Sequence, residues 1–408
     1  MQQNKKNIWL ISQYTGSPYY GMNYRGYYIA KEFVKNGDKV TLFSASYSHL
    51  FVNYPKIKGI FTEETIEGIN YIWVKSSKYK GSKSIGRVLS MLAFMLKLFL
   101  FNIFKREKPD VIIVSSLSLF PILNAYVWSK IFKIEFILEI RDIWPLTLME
   151  VGGMSKYHPL VIFMAWFERL GYKKASYVVS LLPNAKEHMV RSGMKDDKFR
   201  YIPNGINLKE VESYEDITQD IKDKFPKDKF IVGYLGTIGI ANAMEYFLET
   251  AKEMQNNSKI HFVLVGNGGE KEKLQDYSRK HNLENVTFIA AIKKVQVQGI
   301  LKYFDVCYLG WHNKSIYKYG ISANKIFDYM YSAKPIINSI NIDNDIIIKA
   351  KCGLTVKAED NRAIKEAILE LFSTKLSKLE QLGKNGKSYV IKHHDYGELV
   401  KKYRELMG

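Results

Sequence analysis

The strongest constraint on the fold is a series of short, unbroken apolar runs separated by helical stretches, and the series occurs twice. The first series is NIWLISQ (7–13), DKVTLFSAS (38–46), DVIIVSS (110–116), IEFILEI (134–140) and ASYVVSL (175–181). Strands this continuously apolar have no polar face to give to water. They predict a parallel sheet with helices on both faces. GMNYRGYYIAKEFVKNG (21–37) supplies one such helix, closed by Asn36-Gly37. The series restarts with KFIVGYLG (229–236), HFVLVG (261–266), VTFIAA (286–291), FDVCYLG (304–310) and KPIINS (334–339). Between the two lies ESYEDITQDIKDKFPKDK (212–229), polar, acidic and proline-containing, which suits a linker. The expectation is an α/β chain of two doubly wound, Rossmann-like domains, 1–211 and 230–386, facing each other across a cleft. The amphipathic segment 387–408, with an internal Gly397, is expected to pack back on the first domain. A length of 408 residues suits two or three domains.

Ligands of such sheets bind beyond the carboxyl ends of the strands, so the residues after each strand are the ones to weigh. After the first strand comes QYTGSPYYGMNYR (13–25), where a helix start near Gly21, with Arg25 one turn in, would offer N–H groups and charge to an anion. After 134–140 comes RDIWPL, where Asp142 could bond a sugar hydroxyl or orient an acceptor, or pair with Arg141 as a cap. After 229–236, Thr237 and Gly239 precede a helix starting near Ala241. After 261–266, Gly266 and Asn267 open GNGGE, a weak nucleotide motif because it is no full GxGxxG. After 304–310, a polar and aromatic loop leads into YGISANKIFDYM (319–330). Ser322 is its natural N-cap, with a helix over 323–332. Lys325 sits in the first turn, where the helix dipole disfavours a cation unless an anion compensates it. Asp328 is three residues on, ~5 Å along the axis, a spacing that suits phosphate on Lys325 and ribose on Asp328. A simple surface salt bridge between the two is the plainer alternative.

Composition is that of an ordinary globular protein, 47% hydrophobic and 25% charged, with a formal net charge of +19. Residues 1–200 carry 29 Lys+Arg and 15 Asp+Glu; residues 201–408 carry 31 and 26, so the first half holds +14 of the excess and the second +5. That asymmetry favours a membrane surface, nucleic acid or a phosphorylated substrate, unless it reflects a lysine-rich proteome. The aromatics fall in strand and helix patterns rather than among basic residues, which speaks against nucleic acid. Two apolar stretches with basic flanks, 86–108 and 158–174, predict either core helices or helices at an anionic membrane surface. MQQNKKNIWLISQ reads as a first strand rather than a signal peptide, so a cytoplasmic location is expected, and the two apolar stretches with the basic first half favour a peripheral place on the inner face of the membrane. Cys307 and Cys352 sit in strand-like runs and are expected to pack there.

YTGSPYYGMNYR, SASYSH, EIRDIWP, IPNGIN (202–207), YLGTIGIANAM, VLVGNGGEKEKL and YGISANKIFDYMYSAKPII together resemble family-4 glycosyltransferases of the GT-B fold. Within that family the resemblance is to bacterial O-antigen and capsule enzymes similar to N-acetyl-L-fucosamine transferases. It implies retaining transfer of a sugar, an N-acetylated hexosamine or 6-deoxyhexosamine, from a UDP-sugar to a lipid-diphosphate-linked saccharide. No metal and no further cofactor are implied. By position, Asp328 matches the second acid of the family's Glu-x7-Glu motif, and the first falls at Gly320. Backbone N–H groups of Ile321, Ser322, Ala323 and the adjoining Asn324 are then the substitutes. The family's diphosphate-binding arginine and lysine fall at Thr237 and Asn242, so Lys325, with Arg25, takes over the charge. The resemblance makes Asp142 and Lys325 the catalytic candidates. A UDP-sugar 2-epimerase on the same fold is the rival activity.

Overall fold

The structure is a computed structural model and describes residues 4–81, 84–343 and 345–408. The chain divides into two compact units: residues through Asn204 together with Tyr396–Gly408, and Gly205–Asp395. In the first unit the strands are β1 (Asn7–Ile11), β2 (Lys39–Ala45), β3 (Phe61–Ile66), β4 (Ile69–Val74), β5 (Val111–Ser115), β6 (Glu135–Ile140), β7 (Tyr177–Ser180) and β8 (Phe199–Tyr201). Their order is β3-β4-β2-β1-β5-β6-β7-β8. Every pairing is parallel except β3–β4. In the second unit β9 (Phe230–Leu235), β10 (Ile260–Val265), β11 (Val286–Ile289), β12 (Val306–Gly310), β13 (Ile336–Ser339) and β14 (Gly353–Val356) form an all-parallel sheet, β11-β10-β9-β12-β13-β14. The strand order reverses at β1/β5 in one sheet and at β9/β12 in the other. Each sheet therefore has a switch point where connections leave in opposite directions and open a crevice.

The two-domain α/β expectation is met, and each of the ten apolar runs holds a strand. Their burial explains why: β1, β5, β10 and β12 are buried at every position. Cys307 and Cys352 are buried in the second core. Segment 212–229 is no linker. Ile217 and Phe225 in it are buried in the second core, and the chain crosses between units at 204/205 instead. Segment 387–408 is not one helix either. The helix Leu376–His394 stays with the second unit, and a separate helix, Tyr396–Glu405, packs its buried Tyr396, Leu399, Val400 and Tyr403 into the first core.

The two apolar basic stretches are helices with one face in the core. Ile85–Leu98, shorter than the 86–108 pattern, buries Met91, Phe94 and Leu98 and exposes Ile85, Leu89 and Leu96. Pro159–Lys174 buries Val161, Met164 and Phe167 and exposes Ile162, Phe163 and Trp166. Both touch the helix Ile122–Phe132 between them, so the exposed apolar side chains belong to one helical layer. Among the described residues no helix is long and apolar enough to cross a membrane.

Candidate functional site

The β9/β12 switch point of the second unit gathers most of the expected site. The chain leaves β9 through Gly236, Thr237 and Gly239. The helix does not begin near Ala241 as expected: a single 3₁₀ turn, Ile240–Asn242, and a left-handed Ala243 come first, and the helix starts at Met244. The extra turn aims Asn242 back at its own loop. Its Nδ2 donates to the Thr237 carbonyl at 2.8 Å, and the Tyr234 hydroxyl donates to the same oxygen at 2.6 Å. The GNGG loop after β10 closes over this turn backbone to backbone. At Gly266, which has φ +147°, an added Cβ would stand 1.9 Å from the Gly236 carbonyl oxygen, and at Gly268 it would stand 2.0 Å from that of Ile238. Only glycine permits that approach. Lys271 fastens the loop from the next helix, donating to the Gly266 carbonyl at 2.7 Å and to Asn267 Oδ1 at 3.0 Å.

Lys325 enters this turn from the opposite side of the switch point. Its helix runs Asn324–Tyr331, with Ala323 at the N-cap rather than Ser322 and no side-chain cap. Ile321, Ser322 and Ala323 lead into it half-buried, and Asn324 is exposed. Lys325 does not pair with Asp328. Its Nζ donates to Tyr234 Oη at 2.7 Å and to Asn242 Oδ1. It also lies 4.6 Å from the Tyr234 ring centre and 5.6 Å from that of Trp311, the first residue after β12. The stem keeps some exposure while the ammonium end is enclosed. Burial, with no carboxylate partner among the described residues, pulls its pKa down to about 7. The lysine therefore ends on Asn242, the position where the resemblance expects a diphosphate-binding lysine.

Asp328 turns the other way. It is 8% exposed, and both carboxylate oxygens accept from Lys294 Nζ at 2.7 Å, while Gln298 Nε2 donates to its main-chain carbonyl. The salt bridge inside the helix is thus replaced by two separate arrangements one turn apart.

The first unit corrects two expectations. Gly21 does not open a helix. It has φ +108° and bridges Ser17 and Phe51, in a loop where a Cβ would meet the Leu50 carbonyl oxygen at 2.8 Å; the helix begins at Arg25. Arg25 offers no charge to an anion. It is 2% exposed, with Nε on Glu139 at 3.0 Å and its other nitrogens on the Pro203 and Ile202 carbonyls and Asn204 Oδ1. Glu139 also accepts from Ser115 Oγ at 2.7 Å and from the Tyr403 hydroxyl. Burial alone would raise the Glu139 carboxyl, but Arg25 and Arg141 outweigh it and hold it below the usual range. Asp142 keeps an exposed side chain just past β6, and among the described residues no ion pair joins it to Arg141, whose Nη1 donates to Asn23 Oδ1 at 2.8 Å; the enclosing protein around Asp142 raises its carboxyl above the usual range, and the charges of Arg141 and Arg87 offset only part of that. Among the described residues no group of three or more His, Cys, Asp or Glu is placed to hold a metal ion.

Residues 19–210 match the family Glycosyltransferase Family 4, and residues 216–389 match Glycosyl transferases group 1. Both halves of the chain are glycosyltransferase domains. The curated relatives of these domains are 23–26% identical over 208–244 residues, and the matched part spans 48–59% of their lengths. Solved structures show the GT-B fold across the whole chain. The sucrose-phosphate synthase of Thermosynechococcus elongatus has a TM-score of 0.76 at 16% identity, covering 98% of each chain. HepE of Anabaena, solved with UDP and glucose, has 0.66 at 12%, covering 98% of this chain and 99% of its own. WaaG, a glycosyltransferase involved in lipopolysaccharide biosynthesis, also has 0.66 at 12%, with the same coverage. In the group 1 domain, the residues that sequence reasoning passed over are Tyr234, Trp311, Lys271 and Lys294. The strand-end rule does point to Trp311, the residue directly after β12. Nothing local marks the other three, whose partners for Tyr234 and Lys294 lie 91 and 34 residues away.

Proposed function

We propose that the protein is a retaining glycosyltransferase that moves a sugar from a UDP-sugar to a lipid-diphosphate-linked saccharide, in the building of a bacterial surface polysaccharide. The observation that carries the donor half is Lys325: an ammonium without a counter-charge, delivered to the loop after β9 at the sheet's switch point, with a carboxylate one helical turn on. A diphosphate would supply the missing charge. Asp328 would exchange Lys294 for the ribose hydroxyls. The turn 237–242, Gly266 with Asn267, and the N–H groups of Ile321 to Ala323 would bracket the diphosphate and sugar. As the bond to the sugar breaks, negative charge grows on the diphosphate, and a preset cation lowers that barrier most. The leaving diphosphate then helps to deprotonate the incoming hydroxyl on the same face. No metal is assigned a part.

HepE, seen with UDP and glucose, and WaaG, from lipopolysaccharide biosynthesis, support this reading, as does the resemblance to O-antigen and capsule enzymes with amino-sugar or 6-deoxy donors. The exposed Leu89, Leu96, Phe163 and Trp166 on one helical layer, with Lys97 and Lys105 on the same stretch of chain, suit an anionic membrane surface at the cytoplasmic face, whereas Arg87 turns inward onto the Tyr14 ring. The test is incubation of purified protein with a panel of nucleotide sugars and lipid-linked acceptors from bacterial membranes. Consumption of a UDP-sugar with label passing to the lipid phase is expected. A donor epimerised without transfer would establish the 2-epimerase instead, and no nucleotide sugar consumed would end the proposal.

A further inference from the structure

We propose that Trp311 is a positioning residue that keeps Lys325 caged without a counter-charge, so that a nucleoside diphosphate entering the site brings a proton onto Lys325 with it. The inference rests on the reading that this site binds UDP. The cage is built from two strand ends. Tyr234 of β9 gives a ring and a hydroxyl, and Trp311 after β12 gives a second ring. Trp311 is itself fixed from behind. Its Nε1 donates to Asn338 Oδ1 at 3.0 Å, Asn338 Nδ2 donates to Asp345 Oδ2 at 2.9 Å, and the Thr355 hydroxyl donates to that same oxygen. Trp311, Asn338 and Asp345 are all buried. The indole face thus cannot swing away from the lysine without breaking a buried polar chain and orphaning its members.

The groups around the cage leave the lysine uncompensated. On its own helix, Asp328 is taken by Lys294. On the neighbouring elements, Glu245 and Glu359 both engage His312, and Asp345 is held by Asn338 and Thr355. Lys271 at the start of the helix after β10, and Lys314 and Lys318 on the segment after β12, are cations and add no negative charge. Two π faces and two neutral oxygens attract an ammonium, yet they replace its hydration poorly. Burial accordingly leaves Lys325 with a pKa of about 7. A diphosphate beside it restores a counter-charge, and the amine takes one proton from solvent; no covalent bond changes.

The experiment is calorimetric titration of the wild-type protein with UDP at pH 8 in two buffers of different ionisation enthalpy. At that pH the terminal phosphate of UDP is already ionised. With Lys325 near 7, roughly nine-tenths of a proton is expected to enter per UDP bound. Above pH 7 the affinity should fall towards tenfold per pH unit. Lys325→Arg, charged at every accessible pH, should still bind UDP with an uptake near zero. Trp311→Leu should move the onset of the affinity loss up towards the ordinary lysine range and reduce the uptake, and Trp311→Phe should restore most of it. A merely structural tryptophan would leave that profile in place. Binding with the same heat in both buffers overturns this inference alone. No UDP binding by the wild type removes the donor reading and this inference with it.

Discussion

The chain carries two cations that its sequence offers to an anionic ligand, Lys325 first and Arg25 second, and the fold treats them in opposite ways. Arg25, after β1 of the first unit, is buried against Glu139, Tyr403 and three main-chain or amide oxygens. Lys325, at the β9/β12 switch of the second, is enclosed by two aromatic rings and two neutral oxygens. A buried charge is tolerable when paired, and an unpaired one is retained only at a cost. Arg25 is therefore part of the scaffold, tying the helix Tyr396–Glu405 to the first sheet, whereas Lys325 has no counter-charge among the described residues, as the proposed diphosphate role requires.

The comparison breaks most easily on the scaffold side. Glu139→Ala leaves Arg25 buried and unpaired and should cost about 3–5 kcal/mol of stability, read by denaturant unfolding. A loss under about 1 kcal/mol would mean that Arg25 is not scaffold. On the site side, Lys325→Ala should lower turnover by roughly 10²-fold or more, as for loss of one preset charge-stabilising donor, without lowering the melting temperature. Asp328→Ala should weaken UDP binding by about 10–100-fold, the loss of a charged hydrogen bond to ribose, measurable by calorimetry. The contrast also shows through pH. The unfolded chain holds a proton on Lys325 up to the ordinary lysine range, while the native protein releases it near 7. Stability should therefore rise from pH 7 towards 10, and Lys325→Met should flatten that rise in a pH series of melts. The smallest change is Tyr403→Phe, about 1 kcal/mol from one hydroxyl on Glu139, with UDP affinity untouched.

The strands were legible because each is apolar on both faces, and the helix at 324–331 because its pattern is periodic. The hairpin β3–β4 and the three-residue β8 were not. FTEETI is half-exposed and alternates weakly, although the Glu67-Gly68 turn, with φ values of 47° and 80°, is a two-residue hairpin signal that could have found it. The polar segment 212–229 hid two core residues, Ile217 and Phe225, because composition averages over single buried side chains. At the site, Lys325 and Asp328 could be singled out as an ill-placed lysine and a motif match. Their partners could not. Tyr234 reaches Lys325 across 91 residues, Lys294 reaches Asp328 across 34, and Glu139 claims Arg25 across 114. Such pairings follow from sheet order, which sequence periodicity does not contain.

The central claim is that the diphosphate charge is met by Lys325 and not by Arg25. UDP affinity of Lys325→Ala and Tyr403→Phe, measured side by side against wild type by calorimetry, tests it most directly. The account predicts a loss of at least about tenfold in the first, matching about 1.4 kcal/mol, and wild-type affinity in the second. Unchanged affinity in Lys325→Ala, or an equal loss in both, would contradict it.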